Sequence, residues 1–98
     1  MRTIKAISDK LKTELPRLQS TYKVESLGIF GSYVRGKQDG ESDIDILVTF
    51  SEPPSLFEFI RLKNHLSDLL NAEVDLVMRK ALKPHIGKQV LSEVVTIP

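Results

Sequence analysis

Three short runs, VESLGIF at 24–30, IDILVTF at 44–50 and EVDLVM at 73–78, are rich in apolar and β-compatible residues. Ahead of the first of them, from Ile4 to Leu18, apolar residues recur instead at three- and four-residue steps, and a capped helical segment lies between the second and the third. A strand-like pattern that alternates with a helical one leaves few architectures open, because each element must bury its apolar side against another layer. The expectation is an α/β or α+β arrangement, a small sheet backed by helices. With 98 residues there is material for one domain, 1–98, whose single core buries roughly 60–70% of the surface that the unfolded chain exposes.

The helical segments have readable ends. Ile4, Ile7, Leu11, Leu15 and Leu18 form one stripe of a first helix, and Pro16 predicts a kink or an end near its last turn. SEPPS at 51–55 is a loop, and Ser55 with Glu58 makes a capping box for a helix carrying Leu56, Phe59, Ile60, Leu66, Leu69 and Leu70 and stopping at Asn71. Pro84 marks the first turn of a last helix. The closing VVTIP reads equally as a short strand or an extended tail.

Composition excludes several kinds of chemistry. A net charge of +1 makes no global field for nucleic acid or a membrane surface, so any anion must be attracted locally. The absence of cysteine removes disulfides, thiolate nucleophiles and Cys-ligated zinc. No apolar run approaches a membrane span, and the N-terminus lacks a signal-peptide core. A cytoplasmic protein with no membrane and no direct nucleic-acid contact is expected.

Against this background, GSYVRGKQDGESDIDILV at 31–48 stands out. Strand alternation places Asp43 and Asp45 on one face while Ile44 and Ile46 point into the core. Two carboxylates about 5 Å apart repel by roughly 3 kcal/mol at an effective dielectric of about 20, a large fraction of a small domain's stability. A solvated strand end would relieve that repulsion by exposure. A divalent cation would turn it into binding, and hard oxygen ligands suit Mg²⁺, with Mn²⁺ as the alternative ion. Asp75 is the acid within the third strand, and if that strand lies beside the second it joins the other two on one face.

The turn before the aspartates supplies a complementary feature. A glycine after a strand lets the backbone turn sharply and approach a ligand, and a serine at a helix start offers its hydroxyl and amides to an anion. Gly31 and Ser32 therefore form a candidate phosphate grip, with Ser32 as a simple helix cap the alternative. Arg35 either reaches a phosphate or pins the turn by pairing with an acid, and the second is favoured. Tyr33 is expected to pack on the core, Lys37 to be a solvated loop charge, and His65 and His85 to lack ligand roles.

The pattern Gly31-Ser32, ten residues, Asp43-Ile44-Asp45, followed by Asp75, resembles the minimal nucleotidyltransferases of the DNA polymerase beta superfamily. The resemblance covers nearly the whole chain; Val34, where the family more often has alanine, departs from it. It implies a small mixed β-sheet of the polymerase beta-like nucleotidyltransferase fold. It also implies transfer of a nucleoside monophosphate, AMP from ATP, onto a hydroxyl with release of pyrophosphate. Gly31, Ser32 and Arg35 would then be the nucleotide-binding residues. Asp43, Asp45 and Asp75 would be catalytic and bind two Mg²⁺ ions, Asp75 completing one metal site or taking the acceptor's proton. Minimal members lack an acceptor domain, so the resemblance implies a partner, a helical HEPN-type toxin whose tyrosine is modified by the antitoxin. Two other readings compete: a non-catalytic module that neutralises its partner by contact, and nucleotidyl transfer to a small molecule.

Overall fold

Thr3 opens the first helix by accepting a hydrogen bond on its hydroxyl from the Ala6 amide, 3.1 Å. This helix, α1, runs Ile4–Tyr22 and closes with Lys23 in the left-handed conformation, its N–H donating to the Leu18 carbonyl. The computed structural model describes residues 3–36 and 43–98. Lys37 and the rest of the spacer that separates Gly36 from Asp43 lie outside the described residues.

Of the two outcomes expected at Pro16, the end of the helix there does not occur. Pro16 faces solvent within α1, while Leu15 and Leu18 beside it are buried. Burying each leucine contributes about 1.5–3 kcal/mol, which offsets the single helical bond that the proline removes.

The remaining elements follow in order: β1 Val24–Phe30, α2 Ser32–Arg35, β2 Ile44–Phe50, α3 Leu56–Leu70, β3 Val74–Met78, a 3₁₀ turn at Arg79–Ala81, α4 Pro84–Glu93 and β4 Val95–Thr96. The sheet order is β3-β2-β1-β4. β1 is antiparallel to both neighbours, whereas β2 and β3 are parallel. The parallel pair requires a crossover, and α3 provides it. The result is the mixed, helix-backed sheet that the sequence led us to expect.

The core fills one face of the sheet. Leu27, Ile29, Ile46, Val48, Val74 and Leu76 meet Ile7, Leu11 and Leu18 from α1 and Leu62, Leu66 and Leu70 from α3. α3 begins with the expected capping box: Ser55 Oγ accepts from the Glu58 amide and Glu58 Oε1 from the Ser55 amide. These bonds hold the Glu58 carboxyl below its ordinary pKa. Of the apolar residues singled out on this helix, Phe59, Leu66, Leu69 and Leu70 pack on the core. Leu62 is completely buried, whereas Leu56 is 71% and Ile60 44% exposed. The stripe through Phe59, Leu62, Leu66 and Leu70 follows the sheet, and Leu56 and Ile60 sit progressively round the helix from it.

The chain's last residues form a strand. β4 pairs with β1, Ile29 opposite Val95, and the Ile97 amide donates to the Leu27 carbonyl at 2.9 Å. His65 is a satisfied histidine, its Nε2 2.8 Å from Glu14 Oε2 and its ring edge-on to Tyr22. His85 is exposed. No helix among the described residues is long and apolar enough to cross a membrane.

Candidate active site

Alternation along β2 sends Ile44 and Ile46, both fully buried, into the core and leaves Asp45 on the opposite face. β3 does the same, burying Val74 and Leu76 and turning Asp75 outward. Because the two strands are parallel with Ile44 opposite Val74, Asp45 and Asp75 are register partners. On the other side, Asp45 is paired with Phe30, the last residue of β1. The chain therefore leaves β1 at Gly31 directly beside the Asp45 side chain.

Gly31 is required there by geometry. Its φ of 80° and ψ of −148° lie in a region that is essentially restricted to glycine. A Cβ at this position would fall 2.9 Å from Asp45 Cγ and closer still to Oδ2. Gly31, not Ser32, occupies the position before the helix, and its carbonyl accepts from the Val34 and Arg35 amides. Ser32 is thus the first residue of α2, half-buried, and does not serve as the helix cap. Tyr33 is buried, as expected.

The electrostatics of Asp45 record how closely the acids gather. Its pKa rises from 3.8 to about 6, first because burial strips water from the charged form, then because Asp75 and Asp43 are negative neighbours and Asp75 shares a hydrogen bond with it. Arg35 pulls in the opposite direction. Asp43 lies just before β2 and is exposed, acting on Asp45 through its charge. The expectation that all three carboxyls converge is therefore met in part. Asp45 and Asp75 are joined, while no three acidic or histidine side chains among the described residues are drawn together as a metal-holding group.

These residues fit a divalent ion. Asp45 and Asp75 stand in register on one face of the sheet, where hard oxygen ligands would grip a cation, and Asp43 adds a further oxygen donor nearby. The same sheet face continues through Leu47 to Thr49. Thr49, Phe50, Met78, Arg79 and Lys80 there line an open cleft of about 650 Å³ at the far ends of β2 and β3, away from the carboxyls.

Arg35 takes the structural option. Its Nη1 donates to both oxygens of Glu93, at 3.2 and 3.3 Å. Glu93 Oε1 also accepts from the Gly31 amide at 3.1 Å. Sequence reasoning did not find Glu93. The available signal was a carboxylate in the last turn of a helix, where the helix dipole disfavours negative charge.

Comparison with known proteins agrees with this geometry. A protein adenylyltransferase, MntA, of Thermococcus cleftensis is 46% identical over 97 residues, covering 99% of this chain and 98% of that one. The MntA adenylyltransferase of Shewanella oneidensis is 31% identical over 83 residues, 85% of this chain and 55% of its own length. Among solved structures, a minimal nucleotidyltransferase superposes with a TM-score of 0.79 at 31% identity, covering 96% of this chain and 95% of that one. A toxin–antitoxin structure with AMP-PNP gives 0.72 at 26% identity, covering 89% and 72%. The model of the nucleotidyltransferase domain matches residues 8–97, and with paired aspartates set beside a strand–Gly-Ser–helix turn, the chain belongs to the nucleotidyltransferase domain family.

Proposed function

We propose that this protein transfers AMP from ATP onto a tyrosine hydroxyl of a helical HEPN-type toxin and so acts as its antitoxin. The observation that carries the reading is the in-register pair Asp45–Asp75 abutting the Gly31 turn. The adenylyltransferase activity named for the Thermococcus relative and the AMP-PNP of the similar toxin–antitoxin structure support AMP and a protein acceptor.

In this proposal the Ser32 hydroxyl and the first amides of α2 receive the β- and γ-phosphates, and glycine at 31 lets the backbone come close to them. Asp43, Asp45 and Asp75 would hold two Mg²⁺ ions, with Mn²⁺ able to substitute, and the metal would supply neutralisation of charge on the attacking and leaving oxygens. The acceptor oxygen attacks the α-phosphorus, its bond to the bridging oxygen breaks, and pyrophosphate leaves. Asp75, exposed beside half-buried Asp45, either completes one metal site or takes the acceptor's proton. Positioning of the reactants by the rigid β2–β3 pair supplies much of the acceleration.

The test incubates the protein with its partner, labelled ATP and Mg²⁺. Label on a partner tyrosine, lost in Asp45→Asn, supports transfer. A variant with both Asp43→Asn and Asp45→Asn that silences the toxin as well as the parent does would establish neutralisation by contact instead.

A further inference from the structure

A carboxylate at a helix C-terminus is disfavoured by the helix dipole, yet α4 ends on Glu93. The helix has few other anchors, since only Gly87 and Val90 are buried along it. What Glu93 gains is specific. Its side chain, 18% exposed, reaches across 62 positions of sequence to the Gly31 amide. The same carboxylate engages the Arg35 guanidinium through both oxygens. One acid thus holds the residue before α2 and the residue that ends it.

That turn is the one whose shape the site depends on. Gly31 sits at positive φ with no room for a Cβ against Asp45, so displacing it would alter both the path into α2 and the packing of the Asp45 side chain. A positive φ costs glycine little by itself but is not self-enforcing, and a four-residue helix is too short to hold its own geometry. Immediately after Glu93, Val94 packs against Gly28, and β4 pairs with β1. The acid is therefore delivered from an anchored segment.

We propose that Glu93 is a positioning residue for the nucleotide site: its carboxylate clamps the Gly31–Arg35 turn and makes the C-terminal α4–β4 segment part of the site's frame. This rests on the transferase reading for its functional consequence, while the clamp itself is a property of the fold. A rival role exists for the same contacts. A carboxylate on a backbone amide and an arginine is also what a competing internal anion looks like, and such a residue would weaken nucleotide binding.

Amide spectra of the full chain, titrated with ATP and Mg²⁺, separate these roles. Glu93→Ala is expected to shift the amide signals of residues 31–35, speed exchange of the Gly31 proton and weaken ATP binding about ten-fold. Glu93→Gln, which keeps an oxygen acceptor for the Gly31 amide, should recover most of the affinity. Arg35→Ala combined with Glu93→Ala should be non-additive, because the two residues share one contact. If Glu93→Ala fails to fold, the Gln variant and Arg35→Ala carry the same comparison. Unchanged turn amides, or ATP affinity that is unchanged or tighter without Glu93, would overturn the clamp. A parent protein that shows no ATP-induced shifts would defeat the transferase reading, and the clamp would then be judged on the Gly31 amide alone.

Discussion

Asp45 and Asp75, thirty positions apart in the sequence, stand opposite each other on adjacent parallel strands and share a hydrogen bond between their carboxyls. Burial and the negative charges of Asp75 and Asp43 make Asp45 keep its proton up to about pH 6. This one relationship links the protein's stability to pH and to the divalent cation proposed for the site.

The first prediction concerns stability without metal. The folded Asp45 carboxyl keeps its proton up to about pH 6, against 3.8 ordinarily. An acid with a raised folded pKa stabilises the fold below its ordinary pKa, and that contribution is lost as pH rises through about 6. Asp45 is only half-buried, so solvent screening leaves an effect on the order of 1 kcal/mol. In chelator, Asp45→Asn should therefore gain on the parent by about 4–8 °C in melting temperature between about pH 4 and pH 7. A constant difference across that range in thermal melts would contradict the assignment.

Metal binding should carry the opposite pH dependence. An ion must displace the proton held by Asp45 and Asp75, so Mg²⁺ affinity is expected to fall about ten-fold per pH unit below about pH 6. Calorimetric titration at several pH values measures this directly. The Asp75→Asn variant should bind Mg²⁺ more weakly and with a shallower pH dependence.

Two glycines with similar φ but very different ψ, −148° at Gly31 and 24° at Gly36, should respond differently to alanine. Gly36 has φ +70° and nothing within 4 Å of its missing Cβ, whereas Gly31 has φ +80° and Asp45 in the way. Gly36→Ala should cost only the left-handed strain, about 1–2 kcal/mol. Gly31→Ala should cost more than about 3 kcal/mol and abolish transfer. Chemical denaturation of both variants, with an activity assay, makes the comparison.

Along α3, Leu62→Ala should destabilise by about 2–5 kcal/mol, because Leu62 is fully buried. Leu56→Ala should change stability by less than about 0.5 kcal/mol, since Leu56 is largely exposed. Equal effects in urea denaturation would mean that the helix face is rotated from the one described.

This contrast shows where the sequence was legible. The strand runs at 24–30 and 44–50 coincide with β1 and β2, because alternation and glycine stops act locally. The capping box at Ser55 and the proline start at Pro84 are local as well, and both are present. The inward face of α3 was blurred because Leu56 and Ile60 also fit a helical spacing, and only packing against the sheet selects Leu62 over them. The register that brings Asp75 to Asp45 was conditional on strand order, which periodicity does not specify. Glu93 carried only the local anomaly of an acid at a helix end, and its partners, 58 and 62 positions away, are reported by no local pattern.

The crossover through α3 also carries a consequence for the order of events in folding. β1 and β2 can zip together as neighbours in sequence, but Asp75 reaches Asp45 only after a fifteen-residue helix has formed and docked. Non-local parallel pairings are slow steps because loop closure must precede their reward. The acidic pair is therefore completed late, and a chain still emerging or half-collapsed has no assembled centre with which to modify anything.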